Sequence, residues 1–148
     1  MKNLLAIALF LCLASPLFAQ YELPKRANTI IITDTLSQER LYNKITDLLF
    51  ESGYGILNTN KEQGTITTTE KSYQNGGIKL VFLIKDKKIL LRGDFKSDIS
   101  IDFGGVTSQP SWETIDFRGM KGSAYMNAWL EMKKISDAIP FTKDYLIK

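Results

Sequence analysis

The chain has 148 residues, a formal net charge of +3, 44% hydrophobic and 24% charged residues, one cysteine and no histidine. The missing histidine excludes Ser-His-Asp and Cys-His catalysis, zinc sites built on His and His general bases. So even a balance of charge does not ask for a polyanionic partner, and no nucleic-acid partner is expected.

Residues 1–19 read as a removable export signal. Met1-Lys2-Asn3 is a short basic start, Leu4–Ala14 an unbroken apolar stretch, and Ser15–Ala19 a breaker ending in a small residue before Gln20. The apolar run is shorter than the about 20 residues a membrane-spanning helix requires, so no transmembrane segment is expected. The product, 20–148, should be one domain, periplasmic or secreted. Cys12 lies within the signal, and Leu11 stands where a lipoprotein signal would have a small residue, which argues against lipidation. With Cys12 removed no disulfide is possible, and a hydrophobic core alone must hold the fold.

Gln20–Ala27 is an extended lead-in, and the β-branched run Thr29–Thr33 is the first strand. Ser37 is an N-cap candidate for a helix whose apolar stripe is Leu41, Ile45, Leu48 and Leu49, with Gly53 at the position that ends it. The period then changes to two. Tyr54–Asn58 and Gly64–Tyr73 read as strands around a turn at Thr59–Gln63. Asn75-Gly76-Gly77 reads as a tight turn using positive φ, and Ile78–Lys85 and Lys88–Lys96 as a hairpin around Asp86-Lys87. Asp98–Lys121 is irregular, with a short strand at Thr114–Phe117. Ser123–Ile139 returns to helical spacing until Pro140. The order β-α-β-β-β-β-loop-α predicts an α+β two-layer sandwich: an antiparallel sheet of about five strands with two helices on one face.

Catalytic and cofactor signatures are absent. No Ser-x-x-Lys, Gly-x-Ser-x-Gly, dinucleotide or Walker-type loop occurs. Asp94, Asp98, Asp102, Glu113 and Asp116 fall close together in sequence, but without the spacing of a calcium loop they read as solvated side chains. No enzyme activity, metal or cofactor is expected.

The sheet carries a surplus. Ile78, Leu80, Phe82 and Ile84 should face the core, which puts Val81 and Leu83 on the other face with Lys79 and Lys85. Likewise Leu90 shares that face with Lys88, Arg92 and Asp94. A one-sided sheet should be polar there, so Val81, Leu83 and Leu90 need a cover. The Asp98–Lys121 segment is one cover, bringing Ile99, Ile101, Phe103, Val106, Trp112, Ile115 and Phe117; a partner protein or an apolar ligand is another. Trp112, beside Pro110-Ser111, suits an interface anchor or equally a satellite core under the loop, whereas Trp129 on the helical stripe suits the core. Val81, Leu83, Leu90, Phe103 and Trp112 are therefore the candidate binding residues.

The stretch from Asn28 to Lys96 resembles small exported domains of Gram-negative bacteria with a TATA-binding-protein-like fold, among them families of unknown function and the repeated domains of an outer-membrane-assembly lipoprotein. The likeness rests on Leu36–Tyr42 opening the helix, Ser52-Gly53-Tyr54-Gly55-Ile56 closing it, Gly64-Thr65-Ile66, and Lys79–Ile84; the helix over Trp129–Ile139 also looks like the closing helix of such domains. The resemblance implies a fold and a non-enzymatic interaction at the cell envelope. Two readings follow: a module binding an envelope or periplasmic protein or other envelope component through the second sheet face and the 98–121 loop, or a carrier of a small apolar ligand in a helix-grip pocket between the sheet and the C-terminal helix.

Overall fold

A computed structural model describes residues 23–103 and 106–147; the expected export signal with Cys12, and Gly104-Gly105, lie outside the described residues. β1 (Thr29–Thr33) leads into α1 (Gln38–Glu51), then β2 (Ile56–Asn60), β3 (Thr65–Thr68), β4 (Lys71–Ser72), β5 (Gly76–Lys85) and β6 (Lys88–Ser97). β7 (Ile101–Phe103) and β8 (Val106–Ser108) pair with each other. β9 (Trp112–Thr114), α2 (Ala124–Asp137) and β10 (Thr142–Leu146) complete the chain. The fold is α+β, with one antiparallel sheet of eight strands in the order β10-β1-β6-β5-β3-β2; β4 extends the row of β3 along β5, and β9 extends the row of β1 along β6.

Three sequence expectations are corrected. The sheet has eight strands rather than about five: β4 separates from β3, β9 pairs with β6, and β10 follows the last helix and pairs along the whole of β1. The signal of β10 was the alternation Phe141, Lys143, Tyr145, half-buried, against exposed Thr142, Asp144, Leu146. The run expected as one strand over Gly64–Tyr73 breaks after Thr68, whose hydroxyl accepts the Leu80 amide at 2.9 Å in place of a ladder carbonyl. The expected strand at Thr114–Phe117 forms instead at Trp112–Thr114.

The glycines after Asn75 also act differently from expectation. The turn takes its positive φ at Gln74 (51°), while Gly76 and Gly77 belong to β5. Gly76 is needed for close approach, since a Cβ there would collide with the Lys96 carbonyl oxygen, whereas one at Gly77 would meet the exposed Glu70 carboxylate, which can swing aside.

The core lies between the sheet and both helices. α1 buries Leu41, Tyr42, Ile45 and Leu49 and lies against β5; α2 buries Ala128, Trp129, Met132 and Ile135 and lies against β6 and β1. Ser123 caps α2, its hydroxyl accepting from the Met126 amide at 3.3 Å. Ser37 makes no such bond. The approach to α1 is fixed instead by Asp34, whose carboxylate accepts the Leu36 amide at 2.9 Å. Among the described residues no helix is long and apolar enough to cross a membrane.

Candidate interaction face

Strand register fixes which side chains share the face away from the helices. Leu83 lies opposite Leu90, and Leu90 opposite Ile31, so three aliphatic side chains form one row across β5, β6 and β1. Thr65 on β3 and Asp144 on β10 end that row. In the next row Val81 sits between Thr67 and Arg92, and the Arg92 Nε donates to Thr29 Oγ1 at 2.9 Å. Ile31, Val81, Leu83 and Leu90 are all half-buried, the exposure of side chains packed only against same-face neighbours. Beside Val81 a groove of about 540 Å³ opens, lined by Asn28, Arg92, Gly93, Asp94 and Thr114.

The segment expected to cover this face divides between the two layers. Ile115 is buried on the helix side, its amide donating to the Gly93 carbonyl at 2.8 Å, and Phe117 packs on Trp129 with ring centroids 5.9 Å apart. Trp112 does reach the outer face, because β9 pairs with β6 and sets it opposite Lys96. Its ring lies 4.0 Å from Lys79 Nζ and 5.2 Å from Lys96 Nζ. Trp112 therefore closes one end of the face, half-buried, rather than standing free on a loop. Ile99 is exposed. Phe103 lies in β7, and its side chain is outside the described residues.

Charge is distributed unevenly in a way the whole-chain balance hides. Of 19 basic and 16 acidic residues, six and two lie between Gly76 and Ser97, which leaves thirteen and fourteen elsewhere. Five of the six, Lys79, Lys85, Lys88, Arg92 and Lys96, alternate onto the outer face. Lys96 pairs with Glu70 at 3.4 Å. Lys85 and Lys88 face each other directly at the hairpin tip, both exposed. The turn between them holds Asp86 and Lys87 at φ +50° and +62°, a region where Asp is tolerated and Lys is strained.

The acidic residues near this segment whose side chains are described do not meet at one point, and the side chain of Asp102 lies outside the described residues. Glu113 and Asp116 both engage Arg118, at 2.7 and 2.9 Å, while Asp94 lies on the outer face and Asp98 is exposed. The described residues contain no grouping of three or more side chains suited to a metal.

A polar cluster that sequence periodicity gives no sign of lies on the helix side. Lys71 on β4 donates to the Ser52 carbonyl at 2.8 Å, lies 3.4 Å from Glu131 Oε1 and stands 4.3 Å from the Tyr54 ring centroid. Burial, then the Glu131 carboxylate, raises the Tyr54 hydroxyl well above the ordinary tyrosine range. That hydroxyl is buried and makes no hydrogen bond of sound geometry. Tyr73 OH donates to the Asn127 carbonyl at 3.1 Å. These contacts tie β4 and the C-terminal end of α1 to α2. In comparisons with known proteins, no family model matches the chain and no curated protein matches it in sequence.

Proposed function

We propose that the protein is an exported, non-enzymatic interaction module, periplasmic or secreted after loss of residues 1–19, and related in fold to the TATA-binding-protein-like envelope domains. It binds a protein or other envelope component through the open sheet face, with Trp112 of the 98–121 segment at one end. The observation that carries this reading is the row Leu83, Leu90, Ile31 with Val81 beside it: aliphatic side chains left half-buried on the side where no helix packs. The substitution Leu83→Asp tests it. The variant should keep the circular dichroism of the parent and lose whatever envelope component the parent retains in native mass spectrometry. Unfolding of the variant would place Leu83 in a structural core and remove the basis of the reading.

The carrier reading draws on one observation. The Trp129 indole N–H is buried between sheet and α2 with no acceptor among the described residues, a partner that the polar end of an otherwise apolar ligand would supply. Yet Trp129, Met132 and Ile135 fill that interval, so a ligand there must displace core side chains. It would be seen as an added small mass, with Trp129 fluorescence changing on extraction.

A further inference from the structure

We infer that the occupant of the open face is an anionic lipid surface, met by the cations of the β5–β6 hairpin; the inference rests on the open-face reading and deepens it. Arg92, Lys79 and Lys96 have partners within the fold, but the three lysines of the tip are not explained by folding. Lys85 and Lys88 stand opposite each other on adjacent strands, where like charges destabilise a sheet, and Lys87 occupies a left-handed position better suited to glycine or asparagine. Three lysines at one tip thus break local rules without a compensating ion pair among the described residues. Such violations mark requirements other than stability.

Their arrangement indicates a surface rather than a pocket. Along a strand, side chains on one face repeat about every 6.8 Å, so the cations from Lys88 to Lys96 and from Lys85 to Lys79 extend over roughly 20 Å or more. The aliphatic patch of Val81, Leu83, Leu90 and Ile31 lies between the Lys85/Lys88 pair and Lys79. Lysine stems can lie along such a patch while their ammonium groups reach outward. The acidic groups facing these cations are Glu70, which is already paired with Lys96; Asp94 and Asp144 on the face; and Asp86, exposed in the tip turn, which leaves the tip with three lysines against one aspartate. Long cations spread around a flat aliphatic centre fit many mobile phosphate groups better than one rigid partner. Each lysine near an anionic membrane strengthens binding about fivefold.

The test is sedimentation of the exported, folded protein with vesicles containing about 30% phosphatidylglycerol in phosphatidylcholine, against pure phosphatidylcholine, at low salt. An apolar N-terminal stretch retained on the chain would bind both vesicles alike, so the difference between them is the readout. The expected results are preferential binding to the anionic vesicles, its loss at about 0.5 M salt, and a weakening of about 25-fold in the double variant Lys85→Gln/Lys88→Gln. The matched variant Lys121→Gln/Lys134→Gln, on exposed positions outside the hairpin, should bind nearly as the parent does. Three results would overturn the inference: no preference for anionic vesicles, a preference unaffected by the Lys85/Lys88 substitutions, or tighter binding of a short DNA duplex through the same lysines. If vesicles fail while Leu83→Asp still abolishes retention of an envelope protein, the open face stands as the binding surface and only its lipid occupant falls.

Discussion

On the helix side, β5 and β6 present Ile78, Leu80, Phe82, Ile84, Ile89, Leu91 and Phe95, all buried. On the other side the intervening positions present Lys79, Val81, Leu83, Lys85, Lys88, Leu90, Arg92, Asp94 and Lys96, none of them buried. The same two strands therefore supply both layers, and a single residue step moves a side chain from one to the other. What separates them, among the described residues, is cover: two helices, with Ile115, Phe117 and Tyr145 adding to their layer, against one tryptophan at an end of the open face. Stability should accordingly reside in the first layer, and recognition can be placed on the second without loss of fold.

The largest test of that division is truncation at the centre of the covered layer. Trp129 is fully buried between Phe117 and Tyr145, with ring centroids 5.9 and 6.1 Å away. Trp129→Ala should cost about 4 kcal/mol in denaturant unfolding. Leu83→Asp, on the open face, should cost about 1 kcal/mol or less, since its carboxylate remains in water. Equal losses would collapse the comparison. Gly76→Ala probes the strands themselves: the added Cβ meets the Lys96 carbonyl oxygen, a backbone atom that cannot turn aside. A loss of about 3 kcal/mol is expected, with the hairpin register disturbed in amide exchange.

Much of the covered layer was legible from sequence because a core writes its own period. The stripe Leu41, Ile45, Leu48, Leu49 and the alternation from Ile78 to Ile84 fix α1 and β5 to within a few residues, and Gly53 at φ +75° ends the helix where expected. β10 was missed because its five residues carry only one large apolar inward side chain, Tyr145, and follow a proline that reads as a stop. The open face was legible in part. Alternation placed Val81, Leu83 and Leu90 on it, but whole-chain charge concealed the concentration of lysine between Gly76 and Ser97, which a count over that window alone reveals. The position of Trp112 could not be read, since it depends on β9 pairing with β6 across an irregular segment with no period of its own.

The hairpin tip sharpens the comparison in the opposite direction, because changes there should stabilise. Lys87→Gly relieves a left-handed lysine and should gain about 1 kcal/mol. Lys88→Glu converts the like-charge pair with Lys85 into an attractive one and should gain roughly 0.5 kcal/mol, less at high salt. Both gains should come with weaker attraction to anionic vesicles, so that stability and binding move apart. A tip whose lysines proved stabilising would belong to the fold rather than to recognition.

The smallest expected effect lies at the C-terminal end of α2. Burial alone would raise the Asp137 carboxyl, but hydrogen bonds from Lys133 and Lys143, at 2.6 and 3.0 Å, outweigh it and hold the group below the ordinary aspartate range. Because the folded value is the lower one, the pair's contribution is present above the unfolded value near 3.8 and is lost as pH falls through the folded value. With the Asp137 side chain 45% exposed, solvent screening limits that contribution to about 0.3 kcal/mol. Asp137→Asn should therefore lower stability slightly at neutral pH and not at all at the acid end of the titration. Tyr54, whose hydroxyl is raised, gives the opposite slope. Its stabilisation is intact below the ordinary tyrosine value of 10.0 and declines as pH rises beyond it, since the unfolded chain ionises there first. Both groups lie on the helix side of the sheet, away from the hairpin tip, so these slopes should be unchanged in the Lys85→Gln/Lys88→Gln variant. A pH profile altered by those lysines would mean that the two faces are coupled through the strands they share.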